Sequence, residues 1–498
     1  MSTRRSLWRS TVTLTAAAVL SRAFGLVYRM LLARFLGARG LGVFQMVFPL
    51  YVSVVTLAAA GIPVALAQLI AERPGQERVL VAGGRRLLAW TSVPIFLALV
   101  LTAVPIAAHL YHDARFAPLM LALSPSVLLV SAGALLRGYF VGRQEMAVPA
   151  GAQVAEQAGR VAVLAALLAL GDRGRGRFGP APLIAALLIP AGDAISLAWL
   201  YRGFRRQPPQ GPAGDVREAV RRLWRLSLPI AASRLSGALI GLAEAILIPA
   251  RLQAGGMSEA AAVAFFGQLT GTVLPLIFFP TALAISLSTA LVPAVADASG
   301  RHDPARLGRE AEQALAATAF LSFPLTIVLA VLGPAFDTLL FAAHVSRPIF
   351  TALAVGGLFL YFDITISGIL RGLGRTGIPM RNDLLASLVE LGLIAVLGAR
   401  PGQGPLMVAG AVALGFALSA LLDLAALLRL LPVRLHWRRA LGPPAAASFP
   451  LLLALPLWLR FFPRALPGIW TLAAAVGLAA AVFLAGLRAS RFRLSKLT

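Results

Sequence analysis

Long apolar segments recur along the whole chain and constrain its fold more than any other feature. A helix needs about 20 apolar residues to cross the hydrocarbon core of a bilayer, and only helices or closed barrels can span it. The predicted spans are residues 10–33, 42–70, 86–109, 116–141, 148–170, 180–201, 224–250, 262–296, 311–333, 348–371, 380–399, 404–429, 441–461 and 466–487. The sequence therefore predicts an all-α polytopic membrane protein with about 14 transmembrane helices.

The composition supports a membrane protein and excludes several kinds of chemistry. The chain is 59% hydrophobic and 13% charged, whereas soluble proteins carry about 25% charged residues. It contains no cysteine, which excludes disulfides, thiol nucleophiles and Cys-ligated zinc. Its only lysine is Lys496, so it has no Walker lysine for ATP hydrolysis. We predict no cofactor, no metal site and no catalytic constellation.

The distribution of basic residues predicts the topology. The net charge of +25 comes from residues between the spans, which does not favour nucleic acid as a partner. With the N-terminus inside, the predicted cytoplasmic segments contain 30 Lys and Arg residues and the outer loops contain 11. This bias places both termini in the cytoplasm. The outer loop that carries Arg173, Arg175 and Arg177 runs against the bias.

Three pairs of motifs recur in the same order and predict an internal repeat. The paired motifs are Ser21-Arg22 with Ser233-Arg234, Pro49 and Pro63 with Pro275 and Pro293, and Leu136-Arg137-Gly138 with Leu370-Arg371-Gly372. Each half has an even number of spans, so the halves form a parallel repeat about an axis along the membrane normal. We predict two six-helix lobes, which rock about a site near the membrane midplane, and two additional C-terminal helices.

The same pattern predicts the domain boundaries. The predicted parts are an N-terminal six-helix lobe (1–203), a cytoplasmic linker (204–222), a second six-helix lobe (223–430), and two helices with a basic cytoplasmic tail (431–498).

Three arginines within the predicted spans are the leading candidates for a substrate site. Arg22 and Arg29 lie seven residues apart on the first helix, which is nearly two full turns, so both face one side. Gly25 lies between them and is expected to leave room for a ligand. Arg234 takes the position of Arg22 in the second half. Because guanidinium groups bind phosphate in a bidentate manner, these arginines predict an anion site, here a diphosphate site. Snorkelling towards the interface is the alternative, above all for Arg22 and Arg234.

Charged residues of other spans are candidate coupling or cavity groups. Glu156 and Arg160 have the i, i+4 spacing of an intrahelical ion pair, which lowers the cost of insertion. Single acids also lie in other spans, and each can bind a proton or cation or pair with a distant arginine. These acids are Asp193, Glu244, Asp363, Glu390 and Asp423.

Prolines of the second and eighth spans predict helix breaks. Proline removes a backbone hydrogen bond and clashes with the preceding turn, and broken helices are frequent in transporters. Together with Gly25, the candidate gating or helix-breaking residues are Pro49, Pro63, Pro275 and Pro293. The alternative is that these prolines are ordinary, since proline is common in transmembrane helices.

Several segments resemble the stage V sporulation protein B family of polysaccharide biosynthesis proteins. The segments are Ser21-Arg22-Ala23-Phe24-Gly25-Leu26-Val27-Tyr28-Arg29, Gly42-Val43-Phe44-Gln45, Ala60-Gly61-Ile62-Pro63, Leu136-Arg137-Gly138-Tyr139-Phe140 with Glu156 and Arg160, and Arg371-Gly372-Leu373-Gly374. The resemblance covers nearly the whole chain and is weak after about residue 430. This family belongs to the multidrug/oligosaccharidyl-lipid/polysaccharide (MOP) exporter superfamily, with the MurJ-type lipid II flippases as relatives.

The resemblance implies an alternating-access flippase for an undecaprenyl-diphosphate-linked saccharide in the bacterial cytoplasmic membrane. The peptidoglycan precursor lipid II is the leading substrate. The implied partners are this lipid-linked oligosaccharide, membrane lipids and a coupling ion, and the implied state is a monomer. Family members hold the diphosphate with first-helix arginines, which correspond here to Arg22 and Arg29. MurJ-type relatives carry the second arginine one residue earlier, where this chain has Tyr28.

Other functions remain open at this point. A flippase for another lipid-linked polysaccharide unit would suit the same arginines. A MATE-like cation or drug antiporter would need acidic residues in the first and seventh spans, of which only Glu244 is present. A membrane glycosyl- or acyltransferase would need clustered His, Asp and Glu residues, and a non-transporting assembly scaffold would not need the arginines.

Overall fold

The computed structural model describes residues 2–59, 61–170, 180–212, 214–301, 303–431, 435–461 and 468–489. Its regular secondary structure within these ranges is entirely helical, which confirms the predicted all-α fold. Twelve helical segments in the described ranges are long and apolar enough to cross a membrane. The loop that carries Arg173, Arg175 and Arg177 and the basic tail after residue 489 lie outside the described residues.

The chain forms two compact units, Met1–Ile246 and Leu247–Thr498. The helices that begin in the first unit are α1 (Ser2–Ala59), α2 (Ile62–Glu72), α3 (Glu77–His109), α4 (Phe116–Leu123), α5 (Pro125–Gly142), α6 (Ala147–Ala169), α7 (Ala181–Arg206) and α8 (Val216–Ala254). The boundary between the units falls inside α8, and the division into lobes at 203 and 223 stays a prediction.

The second unit continues with ten further helices in the described residues and a short π-helix. They are α9 (Glu259–Gln268), the π-helix (Leu269–Val273), α10 (Leu274–Phe278), α11 (Thr281–Gly300), α12 (Pro304–Phe341), α13 (Arg347–Gly372), α14 (Gly377–Leu397), α15 (Gly404–Leu430), α16 (Trp437–Ser448), α17 (Leu451–Phe461) and α18 (Gly468–Ala489).

The first two predicted spans are joined without a loop. Helix α1 runs through the first span and the first part of the second, to Ala59, with a kink at Gly37, whose φ of 64° and ψ of 176° are open only to glycine. Helix α1 ends at Ala59 and α2 begins at Ile62, and Gly61, the N-cap of α2, has a φ of 69°. The bend therefore lies between the first two predicted spans, 10–33 and 42–70. Gly37 supplies the backbone conformation that the bend requires.

The predicted proline breaks are only partly correct. Pro63 lies in the first turn of α2, directly after the break at Gly61, and Pro275 lies in the first turn of α10, after the π-helix. The eighth span is broken at 279–280, between α10 and α11. Pro49 and Pro293, in contrast, lie inside α1 and α11. A single proline costs one backbone hydrogen bond, and the remaining bonds of a long helix keep it continuous.

The predicted fifth and eleventh spans are helices, but polar ones. Helices α6 and α14 are 23 and 21 residues long, yet neither is among the twelve apolar segments. Polar side chains such as Glu156 and Arg160 in α6 lower its hydropathy. Each of these two helices therefore contains candidate cavity groups, Glu156 and Arg160 in α6 and Glu390 in α14.

Glycine contacts fix the register of the internal repeat. In the first unit, Gly138 of α5 packs against Pro63, and Gly142 packs against Ile70 of α2. In the second unit, Gly368 of α13 packs against Ser288, and Gly372 packs against Val295 of α11. Small residues at this spacing let helices approach closely, and each unit uses the pair in the same way.

This register corrects two of the motif pairings. Gly138 corresponds to Gly368, so Arg137 corresponds to Ser367 and not to Arg371. Pro63 likewise corresponds to Ser288 and not to Pro293. The repeated Leu-Arg-Gly letters mislead by one helical turn, because packing contacts and not side-chain identity determine the register.

The connection between the predicted halves is more helical than expected. Helix α7 continues to Arg206 and α8 begins at Val216, so both ends of the predicted linker 204–222 are helical. The segment between α7 and α8 is held by a hydrogen bond from the Tyr139 hydroxyl to the Gln207 carbonyl, at 2.9 Å. The Arg78 amide donates to the Gln210 carbonyl at 3.1 Å. These bonds fix the connection to the first unit.

The C-terminal helices pack on α12 within the second unit. Leu451 and Leu455 of α17 and Phe483 of α18 are buried against Val328 and Leu332 of α12. The predicted thirteenth span, 441–461, is divided between α16 and α17. The last two predicted spans therefore pack with α12 in one hydrophobic cluster.

Candidate functional site

The first helix presents its two arginines on one exposed face. Arg22 and Arg29 of α1 are both exposed, whereas Ser21 and Tyr28, each one residue earlier, are only 6% exposed. Neighbouring helical residues point about 100° apart, so a one-residue offset separates the packed face from the open face. The shared face of Arg22 and Arg29 is as predicted, and their role stays a prediction.

Gly25, between these arginines on α1, faces a glutamine of α6. A Cβ atom at Gly25 would lie 3.6 Å from Oε1 of Gln157 in α6. The absence of a side chain therefore allows the Gln157 amide to approach α1. This contact places an uncharged polar group beside the arginine face, and the ligand space at Gly25 stays a prediction.

Arg22, Arg29 and Arg234 are all uncompensated among the described residues. Arg234 is exposed on α8. None of the three has an ion-pair or hydrogen-bond partner within the described ranges. Three exposed guanidinium groups without carboxylate partners retain their full capacity to bind an anion.

Arg160, in contrast, is the centre of a closed ionic network. Its guanidinium lies 3.0 Å from Glu156, the predicted intrahelical partner, and 2.8 Å from Asp193 of α7. Glu156 also lies 3.5 Å from Arg137 of α5, which donates to the Ser196 hydroxyl at 3.1 Å. Three helices of the first unit are thereby connected through charged groups.

This network assigns structural partners to four charged side chains. Two arginines and two acids balance each other, and the Arg160 and Asp193 side chains are only 12% and 6% exposed. Asp193 therefore has the distant arginine that the sequence did not identify. Arg137 pairs with Glu156 inside the unit. A balanced buried network rigidifies the unit and has little charge left for a ligand.

Two tyrosines of α1 extend towards this network. The Tyr51 hydroxyl donates to Asp193 at 3.4 Å. Tyr28 lies within electrostatic range of Arg160 and Asp193, and its buried hydroxyl has no hydrogen-bond partner among the described residues. An arginine at position 28 would add a third guanidinium beside Arg160. The tyrosine at this position is therefore consistent with the second arginine lying one residue later, on the open face.

The second unit holds a network of acids with neutral partners. Asp423 of α15 accepts hydrogen bonds from Asn382 at 2.9 Å and Ser367 at 3.1 Å. Asp363 of α13 accepts one from Ser419 at 3.3 Å. Asn382, Asp423 and Ser367 are buried. An acidic cluster with neutral donors has negative charge available for a cation or proton.

The two networks occupy corresponding positions in the repeat. A Cβ atom at Gly192 of α7 would overlap Arg160, and a Cβ atom at Gly415 of α15 would overlap Glu390 of α14. Four residues after each glycine lies a serine, Ser196 or Ser419, that binds a charged side chain of α5 or α13. The guanidinium of Arg160 in the first unit therefore corresponds in position to the carboxylate of Glu390 in the second unit.

Glu244 and Asp337 are two further acids in long helices. Glu244 of α8 is half-buried and forms no hydrogen bond or ion pair within the described part of the chain. Asp337 of α12 is fully buried beside Thr272 of the π-helix, and neither of its oxygens has a well-formed hydrogen bond to a described residue. Sequence reasoning missed Asp337 because the predicted span ended at 333 and α12 continues to Phe341. A longer hydropathy window would have included it.

No metal-binding group of three or more His, Cys, Asp or Glu side chains occurs among the residues that the structure describes. The arrangement offers an exposed cationic face in the first unit and a buried acidic cluster in the second. Each can bind charge, and neither resembles a catalytic centre.

Comparisons with known proteins agree with this architecture. A family profile described as "Polysaccharide biosynthesis protein" matches residues 7–299, and a profile described as "MatE" matches residues 256–396. Among curated proteins, the chain is 29% identical over 451 residues to stage V sporulation protein B of Bacillus subtilis (strain 168), covering 86% of this chain and 85% of that protein. It is 23% identical over 455 residues to lipid II flippase MurJ of the same organism, covering 83% and 81%.

Solved structures show the same fold. Lipid II flippase MurJ in an inward closed conformation aligns with a TM-score of 0.73 and 17% identity, covering 95% of this chain and 98% of that one. An inward-facing multidrug resistance MATE family transporter of the MOP superfamily aligns with a TM-score of 0.67 and 14% identity, covering 82% and 96%. At these identities the likeness concerns the fold alone.

Proposed function

Because this chain belongs to the polysaccharide biosynthesis protein family, we propose that it is a flippase that moves a lipid-linked saccharide across the membrane by alternating access. It is a multi-pass membrane transporter of the MOP superfamily and not an enzyme. The proposed substrate is an undecaprenyl-diphosphate-linked saccharide, with lipid II as the leading candidate, since one curated relative is named as a lipid II flippase.

The observation that carries the proposal is the contrast between two sets of arginines. Arg137 and Arg160 are neutralised by acids, whereas Arg22 and Arg29 are exposed and have no partner among the described residues. Keeping a guanidinium unpaired within a membrane-spanning helix costs free energy. A diphosphate that binds both groups compensates this cost and gives the substrate its affinity.

The acids of the second unit are proposed to couple transport to a cation. Asp363 and Asp423 accept hydrogen bonds only from neutral groups within the described residues. A cation that neutralises them would lower the cost of buried negative charge. The membrane potential adds about 2.3 kcal/mol per elementary charge for each 100 mV, which is enough to drive a reset step.

Rescue of a bacterium depleted of its own lipid II flippase tests the proposal. The wild-type chain is compared with the Arg22→Ala/Arg29→Ala double variant, with membrane levels measured for both. Arg39→Ala is a matched control, because Arg39 is another exposed arginine of α1. We expect rescue by the wild type and the control and no rescue by the double variant.

Two results contradict parts of the proposal. Rescue by the double variant would retain the activity but reject the arginine site. Failure of a well-expressed wild type would reject lipid II and favour another lipid-linked unit, such as a capsule precursor. Direct flipping assays with fluorescent polyprenyl-diphosphate saccharides then identify the substrate.

A cation or drug antiporter is the second candidate. The MatE profile matches residues 256–396, which include Asp363 of the acidic cluster, and such a cluster suits cationic cargo. Efflux of a fluorescent organic cation that is abolished by Asp363→Asn and unaffected by Arg22→Ala/Arg29→Ala would favour this function over the flippase.

A further inference from the structure

The first unit contains a groove that the proposed transport site does not use. It encloses about 860 Å³ between α3, α5 and α7, a volume typical of ligand pockets. Helices α3 and α7 both pack on α5 but make at most marginal contact with each other in the described residues. Helix α5 therefore forms the floor, and the other two helices form the walls.

Alanines contribute to both walls of this groove. Ala82 and Ala89 line it from α3, and Ala194 and Ala198 line it from α7. The floor is mainly apolar, with Leu128, Leu129, Ala132, Leu135 and Leu136, and Ser131 is its one hydroxyl residue. Small side chains at helix surfaces allow a neighbouring group to approach closely. Such a channel suits a linear hydrocarbon chain.

One end of the groove is cationic. Arg78 and Arg85 of α3 line it seven residues apart, so both point to the same side. Both are exposed and have no ion-pair partner within the described residues, and no acid is among the lining side chains. Tyr201 adds a phenol at this end. The positive-inside bias predicts that this end faces the cytoplasm.

The connection between α7 and α8 closes this end. Pro209 lines the groove, and the neighbouring Gln210 carbonyl accepts the hydrogen bond from the Arg78 amide at 3.1 Å. The groove is therefore a half-enclosed site with a polar head and an apolar tail, and its head is anchored to the connecting segment.

We propose that this groove binds one anionic phospholipid of the cytoplasmic leaflet. The phosphate lies between Arg78 and Arg85, and an acyl chain lies along α5 between α3 and α7. Basic pockets between transmembrane helices on the cytoplasmic side recognise anionic headgroups, and the cytoplasmic leaflet supplies them. The apolar floor excludes a free phosphate as the whole ligand. A bound lipid would stabilise the contact between α3 and the connecting segment.

Lipid retention by the purified full-length protein tests this proposal. Native mass spectrometry in detergent measures binding of phosphatidylglycerol and, separately, of phosphatidylcholine with the same acyl chains. We expect one tightly bound phosphatidylglycerol and weaker binding of phosphatidylcholine. Loss of each arginine should weaken phosphatidylglycerol binding roughly fivefold, and loss of both about thirtyfold.

Three variants make the test specific. Arg78→Ala/Arg85→Ala should lose the preference for phosphatidylglycerol. Arg86→Ala is the matched control, because Arg86 is the exposed neighbour of Arg85, lies 5.2 Å from the ring of Trp90 and does not line the groove. Ala132→Trp fills the floor at an exposed position and should weaken binding of both lipids.

Four outcomes would overturn the proposal. The first is equal binding of the two lipids by the wild type, and the second is unchanged binding by both the double arginine variant and Ala132→Trp. The third is a loss of phosphatidylglycerol binding in Arg86→Ala as large as that in the double arginine variant. The fourth is displacement of phosphatidylglycerol by an equimolar polyprenyl phosphate. The last would assign the groove to a polyprenyl lipid. If the arginine variant does not fold, as judged by its unfolding temperature without lipid, Ala132→Trp decides. The phosphatidylglycerol and phosphatidylcholine measurements contain no polyprenyl lipid, so their result is independent of the proposed function.

Discussion

The guanidinium of Arg160 lies 2.8 Å from the carboxylate of Asp193, which is 33 residues away in the sequence. The same guanidinium binds Glu156 one turn earlier in α6. The contact joins α6 to α7 and neutralises two acids in a membrane-spanning part of the first unit. Arg160 therefore stabilises the framework, and the exposed arginines of α1 remain for the substrate.

Removing Arg160 should destabilise the protein strongly. Arg160→Ala leaves Glu156 and Asp193 without their shared cation, and breaking a buried pair costs about 3–5 kcal/mol. Thermal unfolding in detergent measures the effect. Arg301→Ala is the control, since it breaks the exposed pair of Arg301 with Asp297 and should leave the unfolding temperature unchanged. An unfolding temperature of Arg160→Ala equal to that of the wild type would reject the structural role.

Adding a methyl group to Gly415 should be harmful, whereas adding one to Gly410 should not. A Cβ atom at Gly415 overlaps the carboxylate of Glu390, whereas no atom lies within 4 Å of the corresponding position at Gly410 in the same helix. We expect Gly415→Ala to lower the free energy of unfolding by about 1–3 kcal/mol. Gly410→Ala should be neutral or raise it by up to about 1 kcal/mol. Equal unfolding temperatures for the two variants would contradict the packing of Glu390.

Removing the hydroxyl of Tyr28 should not destabilise the protein. This buried hydroxyl has no hydrogen-bond partner among the described residues, so Tyr28→Phe removes an uncompensated polar group and should raise the free energy of unfolding by about 1 kcal/mol. Tyr111→Phe is the comparison, because the buried Tyr111 hydroxyl donates to the Met46 carbonyl at 3.0 Å. It should lower the free energy of unfolding by a similar amount. A loss in both variants would mean that Tyr28 has a partner.

Helix positions could be predicted from the sequence because they depend on local hydropathy. The kink at Gly37 and the break before Pro63 also fall where local chemistry requires them. The Arg160–Asp193 pair could not be predicted, since its partners lie on different helices and only packing brings them together. The repeated Leu-Arg-Gly letters predict a register that is wrong by one turn at Arg137, because sequence letters do not record which face of a helix packs.

The candidate site was predictable to the same extent. Helical periodicity places Arg22 and Arg29 on one face, and the structure agrees. Occupation of the space beside Gly25 by Gln157 is a contact between α1 and α6, which periodicity cannot show. Asp337 was missed because hydropathy underestimated the length of α12.

Substitutions of Arg29 should separate charge from geometry in transport. Arg29 is exposed on α1 and unpaired among the described residues, so Arg29→Ala should leave folding intact and lower transport about tenfold to a hundredfold, as expected for a lost hydrogen bond to a charged group. Arg29→Lys should retain part of the activity, because a point charge replaces a bidentate fork. Initial rates of flipping in proteoliposomes, at equal protein content, measure both effects. Arg39→Ala should transport at the wild-type rate. Transport at the wild-type rate by Arg29→Ala as well would contradict the phosphate-binding role of the α1 face. The acidic cluster around Asp423 would then be the leading candidate for the substrate site.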